Sequence, residues 1–341
     1  MSRTFIIAEL SANHNHNLQT AIDSIKAAAE IGVDAVKIQT YTADTLTLDC
    51  RKEDFILKGG LWDGMSLYEL YQQAYTPWEW HEELFKTAKE AGVVMFSTPF
   101  DNTAVDLLEK LDNPIYKIAS FEIMDTELIR YAASKGKPMI ISTGVATEQE
   151  IEEAIEVCRE VGNNDITLLK CTSEYPAKIS DANLAMIPNM RARFGVNVGL
   201  SDHSMGSLVP TVAVALGATV VEKHFILDRS IGGPDAAFSM DKEEFAKLVR
   251  DIRAVESSLG EVNYALTPAK EKARLQAGRS LYVAKDIKAG DRLTNDNVRC
   301  VRPGYSLHPR YWRDINGMVA NHGLELGDRL VLSELTGEIK K

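Results

Sequence analysis

Residues 216–225 read LGATVVEKHF, an apolar run rich in β-branched residues that ends in three charged or titratable side chains. Such a run is typical of a strand buried on both faces, where charged groups are unfavourable. Glu222, Lys223 and His224 therefore either mark the return of the chain to solvent or line a functional site. The rest of the sequence decides between these two interpretations.

This run is the last of eight similar segments, and stretches of helical periodicity alternate with them. The eight runs span residues 5–10, 35–40, 93–100, 116–120, 138–143, 166–172, 196–203 and 219–225. Amphipathic segments at 20–31, 80–91 and 148–161 lie between them, and 242–259 closes the series. Eight βα units in about 260 residues predict an α/β fold, a (β/α)8 TIM barrel. No glycine-rich dinucleotide fingerprint occurs, which disfavours the alternative of a doubly wound open sheet.

The remaining segments define the expected domain organisation. Residues 41–78 form a long insert after the second strand, and such inserts usually build the mouth of a barrel site. We expect a barrel at 1–262, a linker at 263–278 and a small domain at 279–341. Within that small domain, IKAGDRLTNDNV (287–298) resembles LELGDRLVLSEL (324–335), and each Gly-Asp pair predicts a turn between short strands.

Composition restricts the class of protein. A net charge of −11 argues against a nucleic-acid partner. No apolar stretch approaches the ~20 residues of a membrane span, and the first residues do not resemble a signal peptide. The four cysteines are scattered without a CxxC pair, which predicts reduced thiols in a cytoplasmic protein.

In a barrel of this type, catalytic groups lie at the carboxyl ends of the strands. His203 and His224 close the seventh and eighth runs, which would be neighbours at ~4.8 Å spacing. Two imidazoles there, with Asp202, Glu222 and Glu9 nearby, suit a divalent transition metal, although a hydrogen-bonded histidine pair is the alternative. We expect Lys223 to turn outward, and His81, which has no such context, to lie on the surface.

Lysines and hydroxyl groups also gather at the strand ends. Lys37 and Lys117 belong to the second and fourth runs, and four serines surround them: Ser120, Ser142, Ser173 and Ser201. Such a set in an acidic protein points to a small, highly charged anion such as a phosphate or a carboxylate. The GxxxxGK[ST] pattern of a nucleotide P-loop is absent.

Read in order, these strand ends resemble the sialic acid synthase family along essentially the whole chain. The matching motifs are IIAELSANH (6–14), VKIQT (36–40), FSTPFD (96–101), YKIAS-E (116–122), STG (142–144), LKCTSEYP (169–176), GLSDHS (199–204), EKHF (222–225), GGPD (232–235) and VRPG (301–304). The tail, beginning RSLYVAKDIKAGDRL, resembles the antifreeze-like (SAF) domain of these enzymes. In the insert, FILKGGLWDG (55–64) looks most like the branch of the family that makes pseudaminic acid.

The resemblance implies condensation of phosphoenolpyruvate with an N-acetylated amino sugar by C–O cleavage, releasing phosphate. In the pseudaminate branch the acceptor is 2,4-diacetamido-2,4,6-trideoxy-L-altrose. Within the family, an N-acetylneuraminate synthase or a legionaminate synthase is the alternative. A non-catalytic carbohydrate-binding protein on the same fold is a further alternative from a different class.

The resemblance also implies roles for individual residues. A metal, Mn²⁺ or Mg²⁺, would be held by His203 and His224. Lys37 and Ser201 would bind the phosphate group of phosphoenolpyruvate. Ser173 is a further expected substrate-binding residue, at a position where the neuraminate branch has asparagine. The residues that would bind the carboxylate group of phosphoenolpyruvate are Thr98, Lys117, Ser120 and Ser142. The residues that would contact the sugar or the reacting water are Glu9, Gln39, Glu122, Tyr175 and Asp235. Glu9, Glu122 and Lys117 are the expected catalytic groups, and Arg302 would reach the site of a neighbouring subunit in a domain-swapped homodimer.

Overall fold

Eight parallel strands close into a barrel in the computed structural model, which describes residues 3–59 and 62–336. The strands are β1 (Phe5–Glu9), β2 (Ala35–Thr40), β3 (Val94–Pro99), β4 (Tyr116–Ile118), β5 (Met139–Ser142), β6 (Ile166–Cys171), β7 (Asn197–Asp202) and β8 (Val220–His224). Each strand pairs with its neighbours in the chain, and β1 pairs with β8 to close the ring. The predicted (β/α)8 barrel is confirmed.

Helices connect the strands and cover the outside of the barrel. They are α1 (Leu18–Glu30), α2 (Ala43–Leu46), α3 (Leu67–Ala74), α4 (His81–Ala91), α5 (Asn102–Lys110), α6 (Thr126–Ala133), α7 (Glu148–Glu160), α8 (Met186–Phe194), α9 (Leu208–Ala215) and α10 (Lys242–Leu259). In α10 the buried side chains of Phe245, Leu248, Val249 and Ile252 follow the helical period, so one face packs on the barrel. No helix among residues 3–59 and 62–336 is long and apolar enough to cross a membrane.

The insert after β2 is anchored to the barrel by His81, which we had expected on the surface. That expectation is wrong, because His81 is fully buried at the start of α4. Its Nδ1 donates to the carbonyl of Pro77 at 3.2 Å, and its Nε2 accepts from the hydroxyl of Thr40 at 2.8 Å. Burial lowers the pKa of His81 to about 4, so the ring is neutral and ties the end of the insert to β2.

The barrel interior explains which side chains reach its mouth. Its apolar layer consists of Ile7, Ala35, Phe96, Ile140, Leu169 and Val220. Because strand side chains alternate, the residues two positions further along face the same interior. Those residues are Glu9, Lys37, Thr98, Ser142, Cys171 and Glu222. On β7 the interior position is Gly199, where a Cβ would overlap the carbonyl oxygen of Val220 and lie 2.7 Å from Leu169 Cδ2. Ser201 follows it two residues later.

The chain divides into two compact units after Gly260. The described part of the second unit contains α11 (Pro268–Ala277), β9 (Ser280–Val283), β10 (Val298–Val301), α12 (Trp312–Ile315), β11 (Val319–Ala320) and β12 (Leu335–Thr336). Strands β9 and β10 form one antiparallel pair, and β11 and β12 form another. The segment predicted as a linker contains α11, and the predicted domain boundaries stay predictions.

The sequence echo in the second unit corresponds to two equivalent turns that pair with each other. Ile287 and Leu324 exchange both backbone hydrogen bonds, each 2.8 Å long. Asp291 accepts a hydrogen bond from the backbone N–H of Lys288 at 3.0 Å, and Asp328 accepts one from that of Glu325 at 2.7 Å. Both predicted Gly-Asp turns are therefore present.

Candidate active site

Four charged side chains meet inside the barrel at the carboxyl ends of the strands. The Nζ of Lys37 contacts Glu9 Oε2 and lies 3.8 Å from Glu222 Oε1, and the Nζ of Lys117 lies 3.5 Å from the same oxygen of Glu222. Each of the four residues is at most 5% exposed. Charges buried this deeply are tolerated only when they are paired, so the cluster is held together by mutual compensation.

The pKa values of the two carboxyl groups in the cluster are shifted in opposite directions. Burial raises the pKa of Glu9 more than the ammonium group of Lys37 lowers it. Burial also opposes the charge of Glu222, but Lys117 and Lys37 outweigh it and hold the pKa of Glu222 below its ordinary value. Glu222 therefore stays ionised, while Glu9 favours a proton. Burial, together with the charge of Lys37, lowers the pKa of Lys117.

Hydroxyl groups surround these charges. Lys37 donates to Thr98 Oγ1 at 3.1 Å, and Ser201 donates to Glu222 Oε1 at 3.2 Å. Ser142 is 2% exposed, and its buried hydroxyl has no protein hydrogen-bond partner among the described residues. A buried hydroxyl without a partner is costly in a folded protein, so this group is placed to bind something else.

Two more serines approach each other because residue 144 is glycine. The backbone N–H of Gly144 donates to Ser120 Oγ at 3.1 Å. A Cβ on Gly144 would overlap Ser173 Oγ and lie 2.9 Å from Ser120 Oγ. The absence of a side chain thus lets the ends of β4, β5 and β6 bring hydroxyl groups to one wall of the pocket.

His203 and His224 lie side by side, with ring centroids 5.3 Å apart. The Nδ1–H of His203 donates to the carbonyl of Thr172 at 2.9 Å, so Nε2 is the ring nitrogen that could act as a ligand. Burial lowers the pKa of His203, but Cys171 and Thr172 outweigh it and raise that pKa, so a metal bound here would displace a proton. The ring of Tyr175 lies 4.3 Å from that of His203, and the ring of Phe238 lies 5.0 Å from that of His224. Aromatic side chains therefore fix the orientation of both imidazoles.

The histidine pair fits a divalent metal. The Nδ1 of His224 is buried without a hydrogen-bond partner among the described residues, and it lies 3.7 Å from Asp235 Oδ2. Burial and the neighbouring His203 lower the pKa of His224 well below its usual range, so the ring is neutral, as a ligand must be. Within residues 3–59 and 62–336, no group of three or more His, Cys, Asp or Glu has metal-binding geometry. A metal held here would therefore complete its coordination with water or substrate oxygen.

The remaining barrel residues expected at the site border this pocket. Gln39 donates to Glu9 Oε1 at 3.2 Å and to Ser11 Oγ at 3.0 Å. Asp235 accepts from the backbone N–H of Ala12 at 3.3 Å. Glu122 follows β4, its Oε2 is buried without a partner among the described residues, and burial raises its pKa to about 7. Arg302 follows β10 in the second unit and is exposed.

Lys223 does not return to solvent. It faces away from the barrel interior, but it is only 1% exposed. Its Nζ lies 2.6 Å from Asp202 Oδ2 and donates to the carbonyl of Ser204. Its outward orientation is as expected, whereas its burial is not. The carboxylate of Asp202, which was expected near the histidines, serves as the counter-ion of Lys223.

Cys171 is a site residue that the sequence motifs did not single out. Its Sγ lies 3.9 Å from His203 Nδ1, and contacts with His203, Ser120 and Lys117 outweigh burial to lower its pKa to about 7. The sequence predicts Glu222 near the metal, but it does not predict that its carboxylate lies between the two lysines. The alternation of interior positions along β6 and β8 would have indicated both residues.

This fold and pocket define a class of (β/α)8 barrel proteins with a buried, charged pocket at the carboxyl ends of the strands. A family model described as the NeuB family matches residues 24–264, and a model of the SAF domain matches residues 278–335. The chain belongs to the NeuB family and carries an SAF domain, as the motifs suggested.

Curated relatives and solved structures agree with this membership. The chain is 50% identical over 332 residues to the pseudaminic acid synthase of Campylobacter jejuni strain 81-176, covering 97% of this chain and 96% of the relative. It is 37% identical to the N,N'-diacetyllegionaminic acid synthase of Legionella pneumophila, covering 96% and 93%. The crystal structure of N-acetylneuraminic acid synthetase from Leptospira borgpetersenii in complex with citrate matches with a TM-score of 0.72 at 30% identity, covering 80% and 90% of the two chains.

Proposed function

We propose that this protein condenses phosphoenolpyruvate with 2,4-diacetamido-2,4,6-trideoxy-L-altrose to give pseudaminate and phosphate. The observation that carries the reaction class is the pocket in which Lys37, Lys117 and several hydroxyls meet beside a histidine pair. The choice of acceptor is supported by the identity of 50% to a pseudaminic acid synthase, against 37% to a legionaminic acid synthase.

The reaction forms one carbon–carbon bond and breaks one carbon–oxygen bond. C3 of phosphoenolpyruvate attacks the sugar aldehyde carbon, and the aldehyde oxygen takes up a proton. Water adds to C2, and the resulting tetrahedral centre expels phosphate with its bridging oxygen, leaving the 2-keto acid. Both substrates must be held in contact, so much of the catalysis consists of positioning.

Two groups of side chains would hold the two ends of phosphoenolpyruvate. Lys37 and Ser201 are proposed to bind the phosphate, with Ser173 close by. Lys117, Thr98, Ser120 and Ser142 are proposed to bind the carboxylate. The division between the two groups follows the family resemblance. The contact of Lys37 with Thr98 and the unpartnered hydroxyl of Ser142 support binding of the whole anion here, because they present polar groups to the same interior space.

The carboxyl groups would handle protons and orient the sugar. Glu122, with a pKa of about 7, can carry a proton near neutral pH, and burial raises the pKa of Glu9 in the same direction. We propose that one of them protonates the aldehyde oxygen as the bond forms. Gln39, Tyr175 and Asp235 border the same space and would orient the acceptor.

His203 and His224 are proposed to hold a divalent metal, Mn²⁺ or Mg²⁺. When bound, such an ion supplies Lewis-acid polarisation of the aldehyde oxygen. The Nε2 of His203 and the unpartnered Nδ1 of His224 support this assignment. Substitution of either histidine by alanine is expected to abolish binding of Mn²⁺, measured by electron paramagnetic resonance on the full chain.

The proposed function is tested by measuring phosphate release from phosphoenolpyruvate with a panel of acceptors. Turnover is expected with the diacetamido altrose, with little or none with N-acetylmannosamine or the legionaminate precursor. Turnover with N-acetylmannosamine alone would show that the protein belongs to the neuraminate branch of the family. Sugar binding without phosphate release from any acceptor would favour a non-catalytic carbohydrate-binding protein.

We also propose a cytoplasmic homodimer in which Arg302 reaches the site of the partner chain and contacts an acyl group. The four cysteines are free, as expected in a reducing compartment. The family resemblance supports this subunit arrangement.

A further inference from the structure

A cavity of about 450 Å³ lies in the barrel unit, and three segments line it. They are the turn after β1, the insert after β2 and the loop after β8. Its volume falls within the range of small-molecule pockets, roughly 300–1,000 Å³. The proposed roles of the charged pocket do not use this cavity.

The cavity adjoins the histidine pair through the loop after β8. Gly233 and Pro234 line the cavity, and the next residue, Asp235, lies 3.7 Å from His224 Nδ1. On the opposite side, Asn15 lines the cavity and donates to the carbonyl of Ile231 at 3.1 Å, which fixes the two loops together. A ligand whose reactive end lies at the histidines can therefore extend into this space.

The end of the insert is held against the turn after β1. The ring of His16, which also lines the cavity, packs edge-on against Tyr75 with centroids 5.2 Å apart. Asn15 and His16 both have positive φ angles, 44° and 52°, so the chain turns tightly here, and both residues line the cavity together with residues of the insert. The wall contributed by the insert is thus fixed relative to the barrel.

The chemistry of the lining is different from that of the charged pocket. Three lining residues carry carboxamide groups, Asn15, Gln72 and Gln73, and three are apolar, Trp62, Leu70 and Pro234. Among the described lining residues there is no Asp, Glu, Lys or Arg. Carboxamides can donate and accept hydrogen bonds, whereas the apolar surfaces favour a methyl group. Such a lining complements a neutral acylamino group, with its N–H, C=O and methyl.

We infer that this cavity binds the neutral acylamino substituent of the acceptor sugar that lies remote from its aldehyde. The insert is then the segment that selects the acceptor. The inference rests on the proposed function, and it adds Trp62 and Gln73 as specificity-determining residues.

The test compares the diacetamido altrose with the analogue that carries a free amine at C4. Wild-type enzyme is expected to prefer the acylated sugar, because the uncharged lining offers no counter-ion to an ammonium group. Trp62→Ala and Gln73→Leu are each expected to raise the KM for the diacetamido sugar roughly tenfold or more and to reduce this preference. The KM for phosphoenolpyruvate should stay unchanged in both variants.

Gln149→Leu is the matched control, since it makes the same substitution on the exposed surface of α7, where the amide contacts Glu153. Unchanged acceptor KM and unchanged preference in both cavity variants, with an active wild type, would overturn this inference alone. Absence of phosphate release by the wild type with every acceptor would overturn the proposed function and this inference with it.

Discussion

At the scale of single residues, Glu122 is the group whose ionisation the structure most clearly changes. Burial raises its pKa to about 7 from an ordinary value of 4.5, and Lys117 only partly offsets this. Because the folded chain holds this proton more tightly than the unfolded chain does, stability falls as the pH rises from about 4.5 to 7. Above that window the full penalty for ionising a buried carboxyl group remains.

Glu122→Gln is therefore expected to stabilise the protein at alkaline pH. Its gain in unfolding free energy over wild type should grow by up to about 2 kcal/mol between pH 5.5 and pH 8. Urea unfolding at the two pH values measures this difference. The control is Glu90→Gln, which removes an exposed carboxylate from α4 and should show no such change. A gain that is equal at both pH values would contradict the raised pKa.

At the scale of secondary-structure elements, one ion pair fixes the ends of β7 and β8 behind the histidines. Asp202 precedes His203 and Lys223 precedes His224, so their bond lies directly behind the proposed metal ligands. Asp202 Oδ1 also accepts from the backbone N–H of Ser204 at 3.0 Å. Both strand ends are thereby held in register.

Lys223→Met is expected to cost about 3–5 kcal/mol, because it leaves the buried carboxylate of Asp202 without its counter-ion. Adding Asp202→Asn should recover part of this loss, since the amide keeps an oxygen acceptor for Ser204 and carries no charge. Guanidinium unfolding of the two single variants and the double variant gives the coupling energy.

Lys86→Met serves as the reference for that experiment. It removes an exposed lysine whose Nζ lies 3.4 Å from Glu83, a pair worth about 0–1 kcal/mol. A cost for Lys223→Met no larger than that of Lys86→Met would show that the buried pair does not hold the strand ends.

The strands and their order were predictable because the apolar runs and helical periods are local signals. The main difference is β4, which ends at Ile118 where the run predicted Ser120, because residues 120–122 turn into a 3-10 helix. The strand-end residues of the pocket were predictable because sites of such barrels lie at the carboxyl ends of the strands and because strand side chains alternate between the two faces. The burial of Lys223 and His81 was not predictable, because it depends on side-chain contacts with Asp202 of β7 and Thr40 of β2, which lie far from them in the sequence.

At the scale of the whole molecule, the proposed exchange of Arg302 between subunits predicts complementation. His203→Ala removes a ligand from the barrel, whereas Arg302→Ala alters only the second unit. A mixed dimer of these two variants would contain one site in which both residues are intact. Since half of randomly assembled dimers are mixed, co-expression should restore about a quarter of wild-type activity.

Phosphate release by the co-purified variants, compared with each variant alone, checks this prediction. Co-expressed wild type and His203→Ala should give half of wild-type activity however the chains pair, so they control for equal production of the two chains. Activity no greater than the average of the two single variants would show that each chain completes its own site.

The closing contact between β1 and β8 also sets the order in which the protein can form during synthesis. Glu9 lies on the first strand and Glu222 on the last, so the cluster joins residues more than two hundred positions apart. At roughly 5–20 residues per second, the ribosome needs on the order of ten to forty seconds to supply the missing strand. During that interval β1 has a free edge that another chain could pair with. Until β8 or a chaperone covers that edge, the growing chain is exposed to pairing with other chains.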